Sequence, residues 1–105
     1  MATLHKDLTA NAATEIVVGN STLDDSIVIN YSCTRGALAE TGRIWVINDT
    51  DEPEPAYNTY FDDCGLFDTP PAMSYDGTDI VLTITVNDDS ANDVVFNYQL
   101  TTIKK

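Results

Sequence analysis

The chain has 105 residues, of which 43% are hydrophobic, and its 17 acidic and five basic residues give a net charge of −12. This length predicts one domain with a single modest core. The charge excludes nucleic-acid binding, which needs a basic surface that displaces counterions, and it disfavours an anionic membrane surface. No apolar run approaches the roughly 18 residues of a membrane span. The first 13 residues lack the apolar core of a secretory signal, so we expect a soluble protein that is not exported by that route.

The acidic residues are concentrated in one stretch. Between Arg43 and Lys104 there is no Lys, Arg or His, whereas the same stretch contains twelve acids. Such a charge can repel other anions or attract a basic or metal-bearing partner. A solvated surface that keeps the protein soluble requires no partner, and we favour that interpretation.

Residues 1–13 show no regular alternation of apolar and polar residues, and they contain the only histidine. We expect an extended N-terminal arm that is disordered in the free protein and ordered where it docks on a partner. The domain itself is predicted to span residues 14–103. The side chains of the arm that are candidate contacts with a partner are Leu4, His5, Lys6 and Leu8.

Alternation of apolar with polar residues, which is typical of half-buried β-strands, dominates the rest of the chain. It is clearest in SIVINYSC (26–33), RIWVIN (43–48), DIVLTITVN (79–87) and DVVFNYQLTTI (93–103). Shorter candidates are TEIVV (14–18) and AMSY (72–75). Six or seven short strands separated by turns predict an all-β fold, a single antiparallel β-sandwich of the jelly-roll or immunoglobulin-like type. Helical periodicity is absent, and ALAE (37–40) could form one helical turn at most.

The apolar faces of these segments predict the core. Its members are Ile29, Tyr31, Ile44, Val46, Leu82, Ile84, Phe96 and Tyr98. Two of the segments, IVINY (27–31) and VVFNY (94–98), nearly repeat each other. Because their flanks differ, they indicate two similar core strands rather than a duplication. A buried tyrosine needs a partner for its hydroxyl.

The two cysteines, Cys33 and Cys64, are too few for a disulfide scaffold. Cys33 ends an alternating apolar run, where it would pack as a small hydrophobic residue. We therefore favour free thiols, with a disulfide as the alternative.

Residues 49–71 have a different composition, with four prolines, seven acids and four aromatic residues. Proline is excluded from central strands, so this stretch predicts a long insertion loop. Its aromatic side chains either cover one end of the core or meet another chain. The candidates for such contacts are Tyr57, Tyr60, Phe61 and Phe67.

Catalysis is not predicted. A Ser–His or Cys–His site would depend on His5, and a small sandwich leaves little room for a cleft between paired carboxylates. NDTDE (48–52) and NDDSAND (87–93) place oxygen ligands at alternate positions, as calcium loops do. Both lack the EF-hand pattern, and solvated acidic turns account for them. We therefore expect no catalytic residues, no bound metal and no cofactor.

Three segments carry a resemblance to a known group of proteins. DDSIVINYSCTRGALAETGRIWVI (24–47) has Asp-Ser before a strand ending in Tyr-Ser-x-x-Arg-Gly, and Thr-Gly opens its next strand. GTDIVLTITVNDD (77–89) and DVVFNYQLTTI (93–103) then close the chain. This arrangement resembles small β-modules in virion proteins of tailed bacteriophages, which occur as capsid cement or decoration proteins and as domains of tail fibres and spikes. The acidic segment 49–71 departs from that pattern.

The resemblance implies a non-enzymatic virion structural protein, foremost a capsid cement or decoration protein that bridges and stabilises capsid subunits. It would be made in the cytoplasm of a bacterial host and lie on the outer capsid surface, away from nucleic acid and membranes. The implied partners are the major capsid protein and sister copies, with a homotrimer favoured. The alternative is a carbohydrate-binding or adhesion module of a tail fibre or spike, in which Trp45, Tyr57 and Tyr60 would stack on sugar rings.

Overall fold

The computed structural model of the chain describes residues 2–9, 12–61, 66–67, 69–87 and 94–105. The described part consists of β-strands, turns and irregular segments, and its two antiparallel sheets pack against each other. The predicted all-β antiparallel sandwich is therefore confirmed. The strands are β1 (Leu4–Leu8), β2 (Ala13–Asn20), β3 (Asp24–Arg35), β4 (Leu38–Ile47), β5 (Ala56–Phe61), β6 (Ala72–Asp76), β7 (Asp79–Thr85) and β8 (Val94–Lys104).

The larger sheet has the strand order β1-β8-β3-β4-β5, and the smaller sheet has the order β2-β7-β6. Two tight hairpins depend on glycine. Gly36 lies between β3 and β4 with φ 56°, and Gly77 lies between β6 and β7 with φ 61°. This left-handed backbone is favourable for glycine and typical of short hairpin loops. Asp76 thus ends β6, and Gly77 begins the turn between β6 and β7.

The core lies between the two sheets and contains all eight predicted residues, each with an exposed fraction of 9% or less. Strict alternation produced this result, because every second residue of β3, β7 and β8 points to the same side of its sheet. Burial of each such side chain contributes roughly 1.5–3 kcal/mol. The other buried apolar residues of the core are Leu8, Ile16, Val18, Ile27, Cys33, Leu66, Met73, Ile80, Val86 and Val94.

The two similar Asn-Tyr segments are neighbouring strands. Tyr31 of β3 lies directly opposite Tyr98 of β8 in the antiparallel register. The ring of Phe96 stacks on that of Tyr31 at 5.2 Å between centres and lies 5.4 Å from that of Tyr98. Rings at these separations attract each other in addition to burying area. The repeated sequence therefore builds one aromatic cluster at the middle of the larger sheet.

The N-terminal segment is not a free arm over Leu4–Leu8. These residues form β1, which extends the edge of the larger sheet by pairing with β8 from Leu4↔Tyr98 to Leu8↔Val94. Four of the five residues are exposed, so the strand has no apolar alternation for sequence analysis to detect. The backbone pairing and the single buried residue, Leu8 at 2% exposure, hold it in place.

Two further expectations need correction. ALAE (37–40) forms no helical turn, because Leu38–Ile47 is the continuous strand β4, paired with β3 along its length. The predicted insertion loop 49–71 contains the edge strand β5, which pairs with β4 from Gly42↔Phe61 to Ile47↔Ala56. Proline is tolerated just before an edge strand, and Pro55 occupies that position.

Candidate functional site

The outer face of the larger sheet differs from the rest of this acidic protein. Its side chains alternate with the buried ones, and the register across β8, β3, β4 and β5 assigns them to one surface. None of these side chains on the four strands is acidic, although the chain contains 17 acids, and the edge strand β1 adds only Asp7 on the same side, opposite Val95. We call this surface the acid-free face. Its residues are Val95, Asn97, Gln99, Thr101 and Ile103 of β8, Ser26, Val28, Asn30, Ser32 and Thr34 of β3, Ala39, Thr41, Arg43, Trp45 and Ile47 of β4, and Ala56, Asn58 and Tyr60 of β5.

A shallow groove of about 410 Å³ crosses the acid-free face where β3, β4 and β5 lie side by side. Two aromatic side chains flank it, Trp45 with 42% of its surface exposed and Tyr60 with 71%. The remaining lining residues are Asn30, Tyr31, Thr41, Gly42 and Arg43. Aromatic rings with a few placed polar groups in a concavity of this size are typical of small-ligand sites. We call this feature the Trp45 groove.

Arg43 lies in the Trp45 groove and is held from two sides. Its Nε donates a hydrogen bond of 2.6 Å to Oδ1 of Asn30. Its guanidinium carbon lies 5.7 Å from the centre of the Trp45 ring, within reach of a cation–π contact. Across the strands its neighbour is Tyr60. No carboxylate of the described residues forms an ion pair with Arg43, so its terminal nitrogens are available to a ligand.

A glycine makes room for the aromatic core behind the groove. Gly42 faces Tyr31 across β3 and β4. A Cβ atom at Gly42 would overlap the Tyr31 ring and hydroxyl, so any larger residue would displace that ring. The Tyr31 hydroxyl has no hydrogen-bond partner among the described residues, contrary to the expectation for a buried tyrosine. Burial is the main reason why the pKa of Tyr31 is raised, and the charge of Glu40 adds to it.

The aromatic residues predicted to meet a partner or a sugar do not share one surface. Trp45 and Tyr60 lie on the acid-free face, whereas Tyr57 lies opposite Val46 on the other side of its strand, because residues an odd number apart face opposite sides. Phe67 is half-buried and packs edge-on against Tyr31 at 5.9 Å, so it covers the core. The side chain of Phe61 lies outside the described residues.

The predicted contacts on β1 are also divided. Leu4, His5 and Lys6 are exposed, and they stay candidate partner contacts. Leu8 is buried in the core, which removes it from that set. The ring nitrogens of His5 lie 3.0 Å from Oδ1 of Asn97 and 2.9 Å from Oδ1 of Asp7. The pKa of His5 is raised, chiefly by the Asn97 contact and further by Asp7, because two acceptors favour the protonated ring.

Three exposed apolar side chains lie at one end of the sandwich. Ile47 and Ile103 flank Ser26 in the register of β4, β3 and β8, and their exposed fractions are 59% and 61%. Leu23 is 57% exposed, and its carbonyl accepts a hydrogen bond of 3.0 Å from the backbone of Lys105. We call Leu23, Ile47 and Ile103 the apolar end. A cluster of exposed apolar side chains on a small protein is a typical contact surface.

An ion pair anchors the chain beside the apolar end. Asp24 is 4% exposed, and its carboxylate accepts hydrogen bonds of 2.6 Å from Nζ of Lys104 and 2.8 Å from the backbone of Asn20. Burial alone would raise the pKa of Asp24, but these hydrogen bonds and the Lys104 charge outweigh it and lower the pKa. The two sheets are thereby joined near the end of β8, which fixes the position of Ile103.

Two charged residues are buried in the core at the end of the larger sheet that lies opposite the apolar end. Arg35 is 3% exposed and Glu40 is 1% exposed. Arg35 donates hydrogen bonds from Nη1 to Oδ1 of Asn87 and from Nη2 to the carbonyl of Asn87 at 3.1 Å. Cys33 lies directly opposite Glu40. Burial, reinforced by the Glu40 charge, raises the pKa of Cys33 to about 12, while Arg35 acts in the opposite direction.

Cys33 should therefore be inert in the native protein. It is a free thiol with no exposed surface, as favoured from the sequence, while Cys64 lies outside the described residues. Because the thiolate is the reactive form, a pKa near 12 and complete burial both suppress alkylation. In a Cys64→Ser variant, iodoacetamide at pH 8 is expected to label Cys33 only after denaturant is added. Labelling of the native variant at the rate of a free thiol would contradict this.

Asn48, the first residue of NDTDE (48–52), stabilises the structure around the end of β4. The side-chain amide of Asn48 donates to the carbonyls of Ser21 and Asp24 at 2.7 and 2.8 Å, and its oxygen accepts from the Tyr75 hydroxyl at 2.8 Å. Within the described ranges, no three His, Cys, Asp or Glu side chains come together as a metal site. Residues 88–93 of the second acidic segment, NDDSAND (87–93), lie outside the described ranges.

The chain matches no protein-family model, and no curated protein is significantly similar to it in sequence. In the part of the chain that the structure describes, no helix is long and apolar enough to cross a membrane. The features of the molecule that can indicate its function are therefore its surfaces, chiefly the apolar end and the Trp45 groove.

Proposed function

We propose that the protein is a non-enzymatic virion structural protein, a capsid cement or decoration protein that acts as a homo-oligomer on the outer surface of a bacteriophage shell. The observation that carries the proposal is the apolar end. Three of the most exposed apolar side chains in the described part of the chain lie at this end, although they are far apart in sequence.

The apolar end is suited to docking on another protein. Its three side chains expose more than half of their surface, which gains free energy when a partner removes it from water. Lys105 is exposed beside it and can contact a carboxylate of a partner, whereas Lys104 is already paired with Asp24.

Multivalency would make such a small contact sufficient. A homo-oligomer that places several copies of the apolar end on neighbouring capsid subunits makes each additional contact intramolecular. A trimer would suit a position where three capsomers meet, as closed symmetry requires. The exposed residues of β1, Leu4, His5 and Lys6, could add a further contact with the shell or a sister copy.

Replacing Ile47 with lysine tests the proposal. A lysine at the docking surface would have to be desolvated, so binding to emptied, expanded capsids is expected to weaken at least tenfold. The control is Val17→Lys. Val17 is 58% exposed against 59% for Ile47 and is also β-branched, but it lies on β2 of the smaller sheet. Binding is measured by co-sedimentation with capsids at several protein concentrations.

The outcomes separate the possible errors. Equal binding of both variants and the unmodified protein would show that the apolar end is not the docking surface. A lack of capsid binding by the unmodified protein would contradict the proposal itself. Capsids with and without the protein are then compared under heat, where the decorated shell is expected to survive at higher temperature.

A second candidate function is carbohydrate binding, as in an adhesion module of a tail fibre or spike. The Trp45 groove favours it, because Trp45 and Tyr60 expose aromatic rings on one surface beside polar groups. Aromatic rings bind the apolar faces of sugars, while amides and hydroxyls bind their hydroxyl groups. Binding to a glycan array without binding to capsids would select this function over the first.

A further inference from the structure

We infer that the Trp45 groove binds a sugar that carries a carboxylate, with the Arg43 guanidinium as the carboxylate receptor between the rings of Trp45 and Tyr60. This inference rests on the second candidate function and specifies its ligand class. It follows from the contacts of Arg43, from the charge of the acid-free face and from the side chains that line the groove.

Arg43 is preorganised for an anion and has none. The Asn30 hydrogen bond fixes its Nε, and the Trp45 ring supports the plane of the guanidinium. The chain has more than three acids for each base, yet no described carboxylate pairs with Arg43. By comparison, Lys104 pairs with Asp24, and Arg35 is bound to Asn87. A guanidinium with its terminal nitrogens free binds a carboxylate through two parallel hydrogen bonds.

The charge around Arg43 limits the ligand to one or a few carboxylates. Over its described residues, the acid-free face presents no carboxylate that would repel a single approaching carboxylate. The net charge of −12 nevertheless opposes a polyanion whose length extends beyond that face. A nucleic acid or a strongly acidic peptide is therefore a poor ligand, whereas an isolated carboxylate on a neutral ring is a good one.

The lining of the groove selects a sugar as the carrier of that carboxylate. Tyr60, with 71% of its surface exposed, offers a ring face beside Arg43. Asn30 and Thr41 line the groove with an amide and a hydroxyl, which match the hydroxyl groups of a sugar. A second copy of the chain fits less well, because pairing two acid-free faces would bury two guanidinium groups without a counter-charge.

Trp45 is the only tryptophan of the chain, so its fluorescence reports directly on the groove. The full chain is titrated at 0.15 M salt with a neutral oligosaccharide that ends in a single hexuronic acid and with the same oligosaccharide after carboxyl reduction. The carboxylated form is expected to bind about tenfold more tightly, as one charge-assisted contact provides. Arg43→Gln should remove that difference by weakening only the carboxylated ligand, and Arg43→Lys should restore part of it.

Lys105→Gln is the control, since it makes the same change in net charge at the exposed C-terminus and should leave both affinities unchanged. Tyr60→Ala should weaken the binding of both ligands alike, because the Tyr60 ring contacts the sugar ring and does not distinguish a carboxylate from its reduced form. Equal binding of both oligosaccharides, unaffected by Arg43→Gln, would overturn the inference and leave carbohydrate binding intact. No binding of either would overturn both. Binding of an acidic peptide but of neither oligosaccharide would show that the ligand class is wrong.

Discussion

Replacing Phe96 with alanine is expected to lower the free energy of unfolding by about 3–5 kcal/mol, the usual cost of removing a fully buried phenylalanine. Phe96 has no exposed surface and lies between Tyr31 and Tyr98 in the aromatic cluster. Its removal leaves a cavity and also ends two ring contacts. Since domains of this size are stable by only about 5–15 kcal/mol, the variant should be close to unfolding.

Urea denaturation followed by the fluorescence of Trp45 measures this change. Tyr60→Ala is the matched control, because it also truncates an aromatic residue of the larger sheet but at 71% exposure. It should change the stability by about 0.5 kcal/mol or less, as surface substitutions usually do. A loss below about 1 kcal/mol for Phe96→Ala, with an unchanged slope of the transition, would contradict the position of Phe96 at the centre of the core.

The sequence predicts the core of this fold well, because its central strands have one buried and one exposed face. Alternation in β3, β7 and β8 identifies Ile29, Leu82 and Phe96 without knowledge of the topology. It does not reveal that β3 and β8 are neighbours, since pairing depends on contacts between segments distant in the chain. The resemblance between IVINY and VVFNY has its physical reason only in the structure, where the two segments place their aromatic residues in one cluster.

Edge strands are harder to predict than central strands. β1 buries only Leu8, and β5 lies within a segment whose prolines indicate a loop. Neither strand needs an apolar face, because each is held by backbone hydrogen bonds to one neighbour. β4 was missed at its start for another reason. Glu40 occupies a buried position, so the apolar pattern of the inner face is interrupted by a charge.

The candidate site was predicted in part. The sequence predicts that Trp45, Tyr57 and Tyr60 stack on sugars. The structure places Trp45 and Tyr60 on one surface, whereas Tyr57 is an odd number of residues from Tyr60 and faces the other side of β5. Arg43 and Asn30 were missed, although both fall on the outer face in the same alternation that identified the core. Their importance depends on the register of β3 with β4, which sets them side by side, and register cannot be read from either strand alone.

Replacing Arg35 with methionine is expected to destabilise the protein by about 3–5 kcal/mol, as does the loss of one charge from a buried ionic group. Arg35 and Glu40 are both almost completely buried, and both charges act on the thiol of Cys33. Without Arg35, one positive charge is lost from the buried region that also contains the carboxylate of Glu40. The two hydrogen bonds that Arg35 donates to Asn87 are lost as well.

The double variant Arg35→Met with Glu40→Leu distinguishes this electrostatic cause from a simple packing defect. Buried charges that are replaced together by apolar residues of similar volume often cost little stability. The double variant is therefore expected to be more stable than Arg35→Met alone, with a coupling energy of about 1–3 kcal/mol in the double-mutant cycle. Urea unfolding of the four proteins at pH 7 supplies the cycle. Additive losses would mean that the two charges do not interact, and that Arg35 acts only through Asn87 and the packing of its side chain.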